Sequence, residues 1–177
     1  MKIIKIAFLL ILSTSLFSQS FYNFEVFDID SNKFELNTLK GKKILVVNVA
    51  SKCGYTKQYA DLEKLYTTYK DSNFVIIAFP ANNFLKQEPG TNSEIKEFCS
   101  VNYGVSFPMM AKISVKGDDI HPLYEWLTTK EKNLVMDSNV KWNFQKYMIN
   151  EDGSFYAYVK PGKKPFTEKI IDWITAK

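Results

Sequence analysis

Two short runs of β-branched and aliphatic residues bracket a helical stretch, and no other feature narrows the fold as much. Residues 44–49 read ILVVNV and residues 74–79 read FVIIAF. Each is nearly continuous in apolar side chains and shorter than a buried helix, the pattern of a strand covered on both faces. Between them Tyr59, Leu62, Leu65, Tyr66 and Tyr69 recur at helical spacing, which predicts a helix over residues 56–70. Strand, helix and strand in that order point to an α/β domain.

Turn and cap signals extend the reading. Residues 21–36 read as a hairpin turning near Asp30 to Asn32. Thr91 to Glu94 match a capping box and open a second helix. Residues 107–115 suggest a third central strand entered through Pro108, and residues 121–128 a short helix with Pro122 in its first turn. Residues 140–149 and 154–159 read as a hairpin, and residues 166–176 as an amphipathic closing helix. The chain has 177 residues and no repeat or linker after residue 20. One three-layer α/β/α domain over residues 21–177 is expected, with a mixed central sheet and an extra N-terminal hairpin.

Residues 1–20 stand apart. Lys2 and Lys5 precede an apolar run over residues 6–12, and Ser18, Gln19 and Ser20 close it. That is the layout of a secretory signal peptide cut after Ser20, which would send the mature chain to a periplasm or out of the cell. An uncleaved anchor is the alternative, but the run is short for a membrane span. Losing the two lysines takes the net charge from +4 to +2. The remaining basic residues form no stripe of the kind that binds nucleic acid, so neither nucleic acid nor stable membrane insertion after cleavage is expected. Two cysteines and a single histidine, His121, exclude a disulfide-rich scaffold, a four-cysteine zinc site and any multi-histidine metal site. No metal or cofactor is expected, and His121 before Pro122 reads as a surface or helix-start residue.

Cys53 is the informative position. It follows a buried strand and precedes a helix, where free N–H groups and the positive end of the helix dipole favour a thiolate. Lys52 adds positive charge, and Gly54 would let the backbone turn tightly. Open α/β sheets carry their sites at this end of the strands. On these grounds alone a buried, inert cysteine competes with a nucleophile. A dithiol exchange enzyme would carry Cys-x-x-Cys, but the fourth position here is Thr56.

At these residues the chain resembles the glutathione peroxidase family. NVASKCGYT over residues 48–56 is similar to the family's peroxidatic segment, with cysteine where some members have selenocysteine. FPANNFLKQEPG over residues 79–90 is similar to its second signature, and Trp142-Asn143-Phe144 to its third. The likeness runs from Tyr22 to Trp173. It implies a thioredoxin-like fold and a peroxidase that reduces hydrogen peroxide and organic or lipid hydroperoxides at Cys53. It implies further that Gln87, Trp142 and Asn143 complete a catalytic tetrad, with Gly54, Thr56 and Asn82 in support. The family usually has Cys, Asn, Gln, Phe and Gly where this chain has Ala81, Asn82, Asn83, Phe84 and Leu85. Asn83 and Leu85 therefore bear on the loop shape that places Gln87.

The residue types suit that chemistry. A thiolate attacks one oxygen of a peroxide and becomes a sulfenic acid. The amides of Gln87 and Asn143 and the indole N–H of Trp142 are neutral donors that can favour a thiolate and stabilise the departing oxygen. A regular strand would point Trp142 and Asn143 to opposite faces, so a shared site requires either a bend there or Asn143 acting through its backbone.

Cys99 lies on one apolar helix face with Ile95 and Phe98, and locally it reads as a core cysteine. A static disulfide to Cys53, which would stabilise by roughly 4 kcal/mol, is another reading. Two-cysteine, thioredoxin-using members of the family carry a resolving cysteine in this helix. The resemblance thus implies that Cys99 attacks the Cys53 sulfenic acid and that an external dithiol reduces the resulting disulfide. The short connection from Thr128 to Val140 resembles the monomeric or dimeric branch rather than the tetrameric, glutathione-using one. A thioredoxin-like protein, or else glutathione, is the expected reductant. A peroxide-sensing thiol relay would use the same two cysteines. A peroxiredoxin is opposed by the absence of Pro-x-x-x-Thr-x-x-Cys before Cys53.

Overall fold

The computed structural model describes residues 20–176, so the leader read over residues 1–20 lies outside the described residues except for Ser20. Strands β1 (Val26–Phe27) and β2 (Lys33–Phe34) pair antiparallel as the N-terminal hairpin. The central sheet holds β3 (Lys43–Val49), β4 (Phe74–Pro80), β5 (Lys146–Ile149) and β6 (Phe155–Val159), in the order β4-β3-β5-β6. β3 and β4 run parallel, joined by helix α1 (Gln58–Tyr69), while β3–β5 and β5–β6 are antiparallel. The sheet is mixed, as expected. Among the described residues no helix is long and apolar enough to cross a membrane.

Every residue of β3 and β4 is buried, which is why both runs lack the alternation of a half-exposed strand. Alternate side chains feed two cores. Leu45, Val47 and Val49 pack beneath α1, helix α2 (Asn92–Tyr103) and helix α5 (Glu168–Thr175). Ile44 and Val46 face Phe21, Phe24 and helix α3 (Pro122–Thr128) on the other side. One further turn, α4 (Lys130–Asn133), follows α3. The Thr91 capping box forms at α2 as read, and His121 caps α3 by accepting the Leu123 N–H at Nδ1.

Two strand expectations need correction. Residues 107–115 form no central strand; Met109 bridges Ala78 and Met110 bridges Asp28, one residue each. Pro108 has no N–H to continue a ladder, and the segment divides its bonds between β4 and the hairpin instead. β5 begins at Lys146 rather than at residue 140. Gln145 closes the preceding loop with its side chain, accepting from the Lys141 N–H and donating to the Asn139 carbonyl.

Candidate active site

Cys53 stands half-buried beyond the C-terminal end of β3, one turn before α1. Thr56 shapes its turn. The Thr56 hydroxyl accepts the Cys53 N–H at 3.0 Å and donates to the Ala50 carbonyl at 2.8 Å. The Tyr55 N–H points at Cys53 Sγ from 3.4 Å. It is the hydrogen bond that reaches the sulfur among the described residues, and it comes from the backbone leading into α1, where unpaired N–H groups collect. Gly54 lies in a tight turn closed by the Thr56 N–H on the Cys53 carbonyl at 2.9 Å, without needing glycine's freedom. Its φ lies outside the left-handed range and an added Cβ would meet nothing within 4 Å.

The loop after β4 brings the second signature to the same end of the sheet. The Gln87 carbonyl accepts the Lys52 N–H at 3.0 Å, tying the loop to the residue before Cys53. Asn82 anchors the loop from within, its Oδ1 accepting the Glu88 N–H at 2.9 Å. Asn83 binds outward to Ser114, Val115 and Lys116. Leu85 and Lys86 both adopt positive φ, 50° and 52°, so the usual glycine is replaced at a residue whose backbone is left-handed.

The bend that a joint role for the Trp142 and Asn143 side chains requires is present. Phe144 has φ 69°, and the chain at residues 142–145 is not strand. Asn143 is wholly buried and its Nδ2 donates to Gln87 Oε1 at 3.0 Å. Trp142 packs on the Phe84 ring, centroids 5.3 Å apart, and lines a pocket of about 310 Å³ with Gly54, Tyr55, Pro161 and Gly162. Its indole N–H has no hydrogen-bond partner among the described residues. Asn48, within β3, holds the bend in place by donating Nδ2 to the Trp142 carbonyl at 3.1 Å and accepting the Phe144 N–H. Asn48 lies inside the first quoted motif, but an asparagine in an apolar strand gave no hint of this bracing.

Gln87, Trp142 and Asn143 are thus gathered around the turn that bears Cys53, with Gln87 tied to the residue before it and Trp142 sharing a pocket with the two residues after it. None of the three side chains hydrogen-bonds Sγ directly. Cys99 sits elsewhere, on the buried face of α2 with Ile95, as a free thiol. Burial pushes that thiol up to about 11, with the neighbouring Tyr59 hydroxyl working against the shift and Glu88 adding to it. Glu88, next to Gln87, is a buried acid that the sequence did not single out, and burial raises its carboxyl above the ordinary range.

Known proteins resemble this chain in sequence and in fold. The family model described as glutathione peroxidase matches residues 21–128. A glutathione peroxidase-like peroxiredoxin of Schizosaccharomyces pombe is 48% identical over 145 residues, 82% of this chain and 91% of the relative. The crystal structure of Trgpx in apo form superposes with a TM-score of 0.69 at 40% identity, covering 89% of this chain and 96% of that one. A thioredoxin family protein of Chlorobium tepidum, a thiol:disulfide interchange protein, is only 16% identical. It shares the fold with a TM-score of 0.59 over 85% of this chain and 89% of its own.

Proposed function

This chain belongs to the glutathione peroxidase family and is a thiol-dependent peroxidase with a thioredoxin-like fold, and we propose that it reduces hydrogen peroxide and organic or lipid hydroperoxides at Cys53. The Cys53 thiolate attacks one peroxide oxygen, the O–O bond breaks, and water or an alcohol leaves as the sulfur becomes a sulfenic acid. Gln87, Trp142 and Asn143 supply neutral N–H donors to the thiolate and the departing oxygen. The observation that carries this reading is the Asn143–Gln87 hydrogen bond together with the Lys52–Gln87 backbone bond, which gathers those donors around a half-buried cysteine. Cys99 then attacks the sulfenic acid, and a thioredoxin-like dithiol reduces the disulfide. The depth of Cys99 means that α2 opens locally for the sulfurs to meet. The leader directs export, with cleavage after Ser20.

Peroxide consumption measured with a thioredoxin system and separately with glutathione tests this. Cys53→Ser is expected to be inactive with both. Asn143→Ala is expected to lose about a hundredfold in rate, on the order of 3 kcal/mol of barrier. Cys99→Ser is expected to stop turnover with thioredoxin and to leave a trappable sulfenic acid. Undiminished turnover of Cys99→Ser with thioredoxin would remove Cys99 from the cycle, and faster turnover with glutathione would reassign the reductant. Mass measurement of the exported protein tests the cut, a mature chain beginning at Phe21 being the expected result.

A further inference from the structure

The cycle described above has no use for Glu88, although burying a carboxyl is costly. Its side chain is fully excluded from solvent. Oε2 accepts the Ser51 hydroxyl at 3.2 Å, while Oε1 is buried without a hydrogen-bond partner among the described residues. The main chain holds it in place, its N–H on Asn82 and its carbonyl accepting from Lys112 Nζ.

A cavity of about 360 Å³ lies between the loop that carries Cys53 and helix α2, lined by Ser51, Lys52, Glu88, Glu94, Ile95 and Phe98. Cys99 follows Phe98 on α2 and belongs to the core against which Cys53 packs. The Tyr59 hydroxyl from α1 is buried beside Cys99 and bears on its thiol. The Glu88 charge acts on both Tyr59 and Cys99. The charged and titratable groups around Glu88 are Lys52 from the β3–α1 loop, Tyr59 from α1, Glu94 and Cys99 from α2, and Lys112 from the segment after α2. Burial opposes its carboxylate, while the Ser51 hydroxyl and N–H and, after them, the two lysines favour it.

We propose that Glu88 is the base that accepts the Cys99 proton when Cys99 resolves the Cys53 sulfenic acid. This rests on the reading of Cys99 as the resolving residue. In the step the Cys53–Cys99 S–S bond forms and the S–O bond of the sulfenic acid breaks. The Cys53 sulfur is reduced and the Cys99 sulfur oxidised by one electron each. The Cys99 proton passes to Glu88 and from there to the departing hydroxide, which leaves as water. The thiolate is the attacking species, and a thiol held near 11 supplies little of it at neutral pH without a nearby acceptor. Excluded from solvent like Cys99 while α2 is closed, Glu88 is placed to take the proton ahead of the local opening that brings the sulfurs together.

The test follows one oxidation pulse. Wild type, Glu88→Gln and Glu88→Asp are treated with stoichiometric hydrogen peroxide from mildly acidic to mildly alkaline pH. Quenched samples are assayed by mass spectrometry for sulfenic acid and for the Cys53–Cys99 disulfide. Glu88→Gln is expected to form the disulfide about a hundredfold more slowly at neutral pH, with sulfenic acid accumulating. The deficit is expected to shrink as pH rises and hydroxide replaces the missing base. Glu88→Asp, which keeps the acid one methylene farther off, is expected to fall between. A Gln variant as fast as wild type, a deficit equal at every pH, or an Asp variant no faster than Gln overturns the assignment. A wild type that accumulates sulfenic acid and never forms the disulfide overturns the role of Cys99 itself, whatever the Glu88 variants do.

Discussion

Leu85 and Lys86, the two residues before Gln87, stand in consecutive left-handed conformations, φ 50° and 52°. An L-residue there costs about 1–2 kcal/mol. Leu85 recovers little of it, because 79% of its surface is exposed. Leu85→Gly would relieve the strain at an entropic cost of about 0.5–1 kcal/mol. A net gain of about 0.5–1 kcal/mol is expected, raising Tm by about 1–4 °C. Thermal unfolding checks this, and an unchanged or lower Tm would show that the left-handed backbone costs nothing at Leu85. The departure from glycine was visible in the sequence, because a motif fixes which position should be flexible. The place of Cys53, where a strand ends and a helix begins, was legible locally, while its chemistry came only with the motif. Glu88 was not legible. An acid between Gln87 and Pro89 looks like a solvated loop residue, and its burial depends on contacts with Ser51, Asn82 and Lys112 that lie apart in the chain.

Helix α2 is bounded by strong signals at both ends, the Thr91–Glu94 box and Gly104 at φ 60°. Its start was readable from four residues, since a capping box is a purely local device. What the helix hides was not, because a cysteine with Ile95 and Phe98 on one face reads the same whether it is inert or waiting to react. The C-terminal cap binds the turn of Cys99 itself. The Gly104 N–H reaches the Ser100 carbonyl at 3.0 Å and the Val105 N–H the Cys99 carbonyl at 3.3 Å. Gly104→Ala places nothing within 4 Å of the new methyl, so its effect is confined to the backbone. Forcing alanine into that conformation costs about 1 kcal/mol. If α2 opens before the sulfurs meet, the same change makes opening cheaper. Disulfide formation after a peroxide pulse is then expected to be about fivefold faster, while Tm falls by about 2–4 °C. A lower Tm with unchanged disulfide kinetics would place the opening motion outside the C-terminal turn of α2.

Across the whole molecule, the strand–helix–strand order announced the sheet, but strand order within it depends on pairings between distant residues. Setting β5 beside β3 brings the 142–145 bend against Asn48, and no local pattern encodes that neighbour. The same pairing buries Lys146 completely. Its Nζ donates to Gln58 Oε1 at the start of α1, to the Pro161 carbonyl at 3.2 Å and to the Lys163 carbonyl. It thereby joins β5, α1 and the 161–163 loop that walls the Trp142 pocket. Burial lowers this amine from 10.5 to about 7, with Asp61 pulling weakly the other way. The sign for stability follows from proton counts. Between about 7 and 10.5 the unfolded chain holds a proton that the folded chain has released, so stability rises with pH across that window. The gain is complete above 10.5 and is lost as pH falls through about 7. Cys99, raised from 9.0 to about 11, acts in the opposite direction at higher pH, but it does so equally in any variant that keeps it. Urea midpoints for wild type and Lys146→Met, compared over the window, isolate the lysine. Wild type is expected to gain on the variant steadily from neutral to alkaline pH. Parallel curves would mean that the three oxygen acceptors keep Lys146 charged inside the fold, and that the tie between β5 and the pocket wall is ionic at every pH the protein meets.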